Sequence, residues 1–208
     1  MVLGHATPLL LLSFLAGTAA DPVTRTEALV ATFKAVKTKT NAAAPLSDAD
    51  RKQNGATFAL LDDFFDFDRI TNDAIGDLKS RFAPDALKQF LANFKDVIRL
   101  VAYPNSGAAL AKAKLHLKAG PKRDTATQAD VDMTLRGDAD DSDTRVTFHW
   151  EQRQGTWRIY DVSFDGSSLV KDYRNQFGRI VDKDKVEGLT SKVKKKLDER
   201  RKEDLILP

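Results

Sequence analysis

The chain has no cysteine among its 208 residues. That excludes a disulfide framework, a thiolate nucleophile and any cysteine-ligated metal. Histidine is scarce too, three in all, and His5 lies in a segment read below as a leader. His116 and His149 remain, each in a strand-like alternation on the pleat opposite its apolar neighbours, which reads as a solvent-facing position. A surplus of one charge is also missing. The 33 basic and 30 acidic side chains leave a net charge of +3, too little to make nucleic acid the main partner. No nucleophile elbow and no phosphate-cradling loop occurs. The acidic run from Asp138 to Asp143 lacks the glycine and closing glutamate of a calcium loop and reads as a solvated hairpin tip. Neither a metal nor a cofactor is expected.

Long apolar runs are absent after residue 20, so no later segment suits a membrane span. Residues 1–20 read as a secretory signal peptide: an apolar run from Leu9 to Leu15, then Ala16, Gly17, Thr18, Ala19 and Ala20 at a cleavage site. The mature chain, 21–208, is expected to be one soluble domain outside the cytoplasm.

Its first half has helical periodicity. Thr24 and Glu27 match a capping box ahead of Leu29, Val30, Phe33 and Val36. Ser47 and Asp50 open a second helix carrying Phe58, Leu61 and Phe65. Three phenylalanines within Phe64 to Phe67 cannot share one helical face, which implies a bend or a place covered on both sides. A short helix is expected from Asp68 to about Lys79. Another opens at Pro84, with Phe90, Phe94, Val97, Ile98 and Val101 on one face, and should stop at Tyr103 to Gly107. The period then becomes two, in Lys114 to Lys118, Val131 to Leu135, Arg145 to Trp150 and Trp157 to Phe164. Asp165, Gly166 and Ser167 make a turn in which Asp165 can cap a helix bearing Leu169, Tyr173, Phe177 and Ile180. A last, basic helix should run from there to about Glu203. Helices, then an antiparallel meander, then helices give an α+β domain, with helices on one face of a curved four-stranded sheet.

What is plentiful is apolar surface, including 12 phenylalanines and 2 tryptophans. On strict alternation Trp157 and Ile159 occupy one pleat of the last strand and Tyr160, Val162 and Phe164 the other. A small domain with one covered sheet face has little use for apolar groups on both pleats unless it encloses something. Asp161, at the strand end, could instead serve as the base of a cavity enzyme, or simply pair with a backbone group or an arginine. A scaffold protein with a filled core is the third alternative.

The stretch Trp157, Tyr160, Asp161, Val162, then Gly166 to Val170, Tyr173, Arg174, Gln176, Phe177 and Ile180 resembles the C-terminal signature of the MlaC family, the toluene-tolerance auxiliary proteins. The resemblance implies a fold of the NTF2-like type with a lipid cavity. It further implies a periplasmic, non-enzymatic phospholipid carrier working between outer and inner membranes. Its partners would be an inner-membrane ABC transporter complex and an outer-membrane lipoprotein complex. Such a carrier must enclose its cargo, since two acyl tails cost on the order of 20 kcal/mol to expose to water. The pocket wall is assigned to Phe67, Phe90, Phe94, Ile98, Val101, Leu115, Leu117, Val131, Met133, Leu135, Phe148, Tyr160, Val162, Phe164, Tyr173 and Phe177. The chain is expected to act as a monomer. Arg174 and the basic C-terminal helix are candidates to meet a phosphate or an acidic partner.

Overall fold

The computed structural model describes residues 21–39, 44–112, 114–119, 125–136 and 143–207. The segment expected to be a signal peptide (1–20), the turn expected at Gly120 and Pro121, and the acidic run before Asp143 lie outside the described residues.

Helix α1 (Pro22–Lys34) begins earlier than its sequence pattern suggests. Instead of the capping box at Thr24 and Glu27, the carboxylate of Asp21 accepts the N–H groups of Val23 and Thr24 at 2.9 and 3.2 Å. Pro22 sits in the first turn, where a missing N–H leaves nothing unpaired. Helix α2 (Asp48–Asp62) opens at Ser47, whose hydroxyl oxygen accepts the Asp50 N–H at 3.1 Å. The chain then straightens instead of bending as a helix. Phe65 forms a parallel bridge with Ile159, in which Ile159 N–H donates to the Phe64 carbonyl at 2.7 Å and Asp66 N–H to the Ile159 carbonyl at 2.8 Å. This extended crossing accommodates the crowded phenylalanines, with Phe64 under the Arg25 guanidinium at 4.9 Å.

Asp66 then caps α3 (Phe67–Ile75), accepting the Arg69 N–H at 3.0 Å, and a 3-10 helix (Gly76–Arg81) follows. Gly76 has φ 51°, and a Cβ there would lie 3.2 Å from Arg174 Nε. Helix α4 (Pro84–Lys112) does not stop at Tyr103 to Gly107; it runs through Pro104. Proline removes a donor and crowds the carbonyl four residues back, but tertiary contacts hold this helix on both sides of it. The Tyr103 hydroxyl donates to Asp62 Oδ1 at 2.8 Å. Gly107 lies so close to α1 that a Cβ would stand 2.8 Å from the Phe33 carbonyl oxygen.

Four antiparallel strands follow in meander order: β1 (Lys114–Ala119), β2 (Gln128–Arg136), β3 (Asp143–Arg153) and β4 (Thr156–Phe164). A two-residue β5 (Ser167–Ser168) turns back on β4, and α5 (Leu169–Arg201) completes the chain. Ser168, not Asp165, caps α5, accepting the Lys171 N–H at 3.1 Å; Asp165 instead accepts the Arg145 N–H at 2.9 Å. The helix passes Ile180 without a break and kinks at Lys185, where φ is 60°.

The register of β3 and β4 corrects the expected pleating. His149 faces Asp161, yet Trp150 faces Ile159. Tyr160 is therefore the extra residue of a β-bulge, which reverses the alternation at that point. Val162 and Phe164, opposite Phe148 and Val146, end up on the same face as Ile159 and Trp157. That face is the one the helices cover. Its core includes Trp150, fully buried, whose indole N–H donates to the buried Thr26 hydroxyl at 3.1 Å.

Candidate functional site

A cavity of about 380 Å³ lies between the helices and the sheet. The extended crossing and α3 bring Phe65, Phe67 and Ile70 to it, α4 brings Ile98, Val101 and Leu110, and α5 brings Leu169, Val170 and Tyr173. From the sheet come Met133 and Leu135 of β2, Val146 and Phe148 of β3, and Val162 and Phe164 of β4. Three lining residues are also solvent-exposed: Asn105 and Ala109 on α4, and Phe164, which is 46% exposed. They mark the mouth, between the α4 segment beyond Pro104 and the end of β4. The wall is almost entirely apolar, as suits a site that removes hydrocarbon from water.

Asp161 is the one carboxylate on the wall among the described residues, and its oxygens are already occupied. Oδ1 accepts the N–H groups of Val162 at 2.8 Å and Val170 at 3.1 Å, and Oδ2 accepts the Ser168 hydroxyl at 2.5 Å. These bonds satisfy donors at the start of α5, so Asp161 fastens that helix to the sheet. Three of the roughly four lone-pair sites of the carboxylate are thus taken up by structural donors. On α4, Tyr103 donates to Asp62 Oδ1, which also accepts Arg99 Nε–H at 2.8 Å. Burial, reinforced by the Asp62 carboxylate, pushes the Tyr103 phenol far above its usual range.

A charged clamp holds α3 against the sheet. Arg69 meets Glu151 at 2.6 Å and lies 3.9 Å above the Tyr160 ring, while Arg153 bonds Glu151 at 2.5 Å and Asp66 at 3.2 Å. Burial works to raise the Glu151 carboxyl, but hydrogen bonds from Arg153, Gln128 and Arg69 prevail and hold it at about 2. His149, expected to face solvent, is half-buried instead. Its Nδ1 lies 2.7 Å from Asp130 Oδ1 and its Nε2 lies 2.8 Å from Ser163 Oγ. The partners follow the order of a nucleophilic triad, but Ser163 is only 6% exposed and sits on the pleat opposite the cavity. The arrangement is a polar network that ties β2, β3 and β4 together. No cluster of metal-ligating side chains occurs among the described residues.

Of the residues assigned to the wall from sequence, Phe67, Ile98, Val101, Met133, Leu135, Phe148, Val162, Phe164 and Tyr173 line this cavity. The side chains of Leu115 and Leu117 lie outside the described residues. Five assigned residues lie elsewhere. Phe90, Phe94 and Phe177 form an aromatic cluster beyond Tyr173, with Phe94 4.9 Å from both Tyr173 and Phe177. Val131 is buried in the core, and the bulge turns Tyr160 to Arg69. Arg174 Nε–H donates to the Asp73 carbonyl at 2.8 Å, at the end of α3.

Sequence reasoning missed Asn105, Ser106, Ala109 and Leu110, because proline followed by Asn, Ser and Gly reads as a stop signal. Phe33 was visible in its helical stripe, but nothing in the spacing says which core residue borders empty space.

An α+β domain whose helices and curved sheet flank an apolar cavity has the form of a protein that binds an apolar ligand. The chain belongs to the MlaC family: residues 31–195 match the family described as MlaC protein. A solved structure with the same fold is the phospholipid-binding protein of Ralstonia solanacearum, determined in complex with a phospholipid. The two superpose with a TM-score of 0.62 at 22% identity, covering 88% of this chain and 99% of that one. No match is found among curated proteins. Among the described residues, no helix is long and apolar enough to cross a membrane.

Proposed function

We propose that this chain is a periplasmic phospholipid carrier. The cavity takes acyl tails from a membrane and shields them from water, and the headgroup stays at the mouth beside Asn105, Ala109 and Phe164. The carrier moves lipid between outer and inner membranes, giving it to or taking it from an ABC transport system, and so serves outer-membrane lipid asymmetry.

The observation that carries this reading is the apolar cavity in a member of the MlaC family. Energetics set the design. Each methylene left in water costs about 0.8 kcal/mol, so a carrier of a long-chain lipid needs a sheath of this kind and little else. An ATP site is not required in the carrier itself, because a partner can supply the work.

The test is lipid capture by the mature protein made in a Gram-negative host, with Ala109→Trp as the comparison. Ala109 lines the mouth and is exposed, so an indole there closes the entrance without overpacking the core. The expected result is phospholipid recovered from the wild-type protein and little from folded Ala109→Trp. Equal recovery from both would place the lipid elsewhere.

A further inference from the structure

The apolar stripe that α4 turns to the cavity is broken at one level. Ile98, Val101 and Ala102 line the wall, then Asn105 and Ser106, then Ala109 and Leu110. These positions recur at three- and four-residue spacing, so they share one helical face. The polar level lies at the mouth, where Asn105 and Ala109 are exposed and Ser106 is half-buried. Neither the Asn105 amide nor the Ser106 hydroxyl has a hydrogen-bond partner among the described residues.

The other polar groups on the wall are placed differently. Tyr103 donates its hydroxyl to Asp62, and Asp161 accepts from Ser168 and Val170 at the start of α5. The Tyr173 hydroxyl is also unpartnered among the described residues, but its ring packs on Phe94, about 16 Å back along α4 from Asn105. Among the described residues no lysine or arginine lines the cavity.

A phospholipid carries its polar groups in a fixed order: tails, then ester carbonyls, then phosphate. The phosphate can stay hydrated outside the mouth, and no cation on the wall draws it in. The ester carbonyls have no such freedom. They are bonded directly to the tails, so seating the tails in an apolar cavity carries the carbonyls to its edge and strips water from them. An acceptor stripped of water needs a donor. Asn105 supplies two N–H groups and Ser106 one O–H, at the level where the carbonyls come to rest.

We propose that Asn105 and Ser106 form an ester-binding step at the mouth. Their donors pair with the glycerol ester carbonyls, set how deep the lipid sits, and select ester-linked over ether-linked phospholipid. This rests on the carrier reading above and names the class of its cargo.

The test is competition between two lipids that differ only at that step. One is dioleoyl phosphatidylethanolamine; the other is its diether analogue, which keeps both chains and the phosphate but has no carbonyl. Lipid-stripped protein is incubated with vesicles holding both in equal amounts. After the vesicles are removed, native mass spectrometry reads the ratio of the two adducts, for wild type and for Asn105→Ala/Ser106→Ala. Alanine is the better helix former at both positions, so the variant should melt no lower than wild type. Comparing the ratio between proteins cancels any difference in how the two lipids leave the vesicle. The wild type should favour the diester, and its ratio should fall about tenfold in the double variant, as the loss of two neutral hydrogen bonds implies. The same ratio in both proteins would overturn the ester step, even if the variant binds less of each lipid, and would leave the carrier reading intact. No adduct of either lipid on the wild type would overturn both.

Discussion

At the scale of single residues, two positions carry more than their size suggests. Gly107 lies mid-helix, where alanine would normally gain about 1 kcal/mol in helix propensity. Here a Cβ would meet the Phe33 carbonyl oxygen at 2.8 Å and Val36 Cβ at 3.1 Å. A carbonyl in a helix cannot rotate away, and overpacking of this kind costs about 1–3 kcal/mol. Gly107→Ala is therefore expected to lower stability in urea unfolding, and a variant as stable as wild type or more so would show that α1 and α4 sit further apart. Asp161 is the second position. Because it fastens the start of α5, Asp161→Ala should cost about 1–2 kcal/mol, as the loss of a helix cap does. The folded variant should still bind lipid. Loss of binding with unchanged stability would instead make Asp161 part of the ligand site.

At the scale of elements, the clamp of Arg69, Arg153 and Glu151 sets where α3 presents Phe67 and Ile70 to the cavity. The Glu151 carboxyl is depressed from an ordinary 4.5 to about 2. A carboxylate with a depressed pKa stabilises the fold above its unfolded value and loses that contribution as the pH falls through the folded one. The stability gap between wild type and Glu151→Gln should thus be constant from pH 7 to about 4.5, then shrink towards pH 2. Urea midpoints across that range check it, and a gap unchanged at pH 2.5 would contradict the clamp. Elements also show which parts of the fold the sequence declares. The four strands follow from period-two runs, and Ser47 marks α2 by its own cap. The bulge at Tyr160 leaves no sequence mark, since the apolar density of β4 reads equally well in either pleating. Pro104 misleads for a different reason: local punctuation says stop, and contacts from Asp62 and Phe33, distant in sequence, overrule it. The mouth of the cavity is built on that overruled segment, so the site was least readable where ligand would enter.

At the scale of the whole molecule, periodicity marked the apolar stripes of the helices but not the space they border. Phe90, Phe94 and Phe177 have the same apolar spacing as Ile98 and Val101, yet they fill volume that the latter leave open. A charge placed at Phe94, which is 1% exposed, would bury an unpaired carboxylate and test the fold rather than the cavity. The central claim, that the cavity holds lipid, is tested most directly by native mass spectrometry of the protein purified from a Gram-negative host, beside Ala109→Trp. The expected spectrum shows one added phospholipid on the wild type, recovered by extraction, and an unloaded mass for the folded variant. A wild-type protein that is unloaded and takes up nothing from added vesicles would contradict the account.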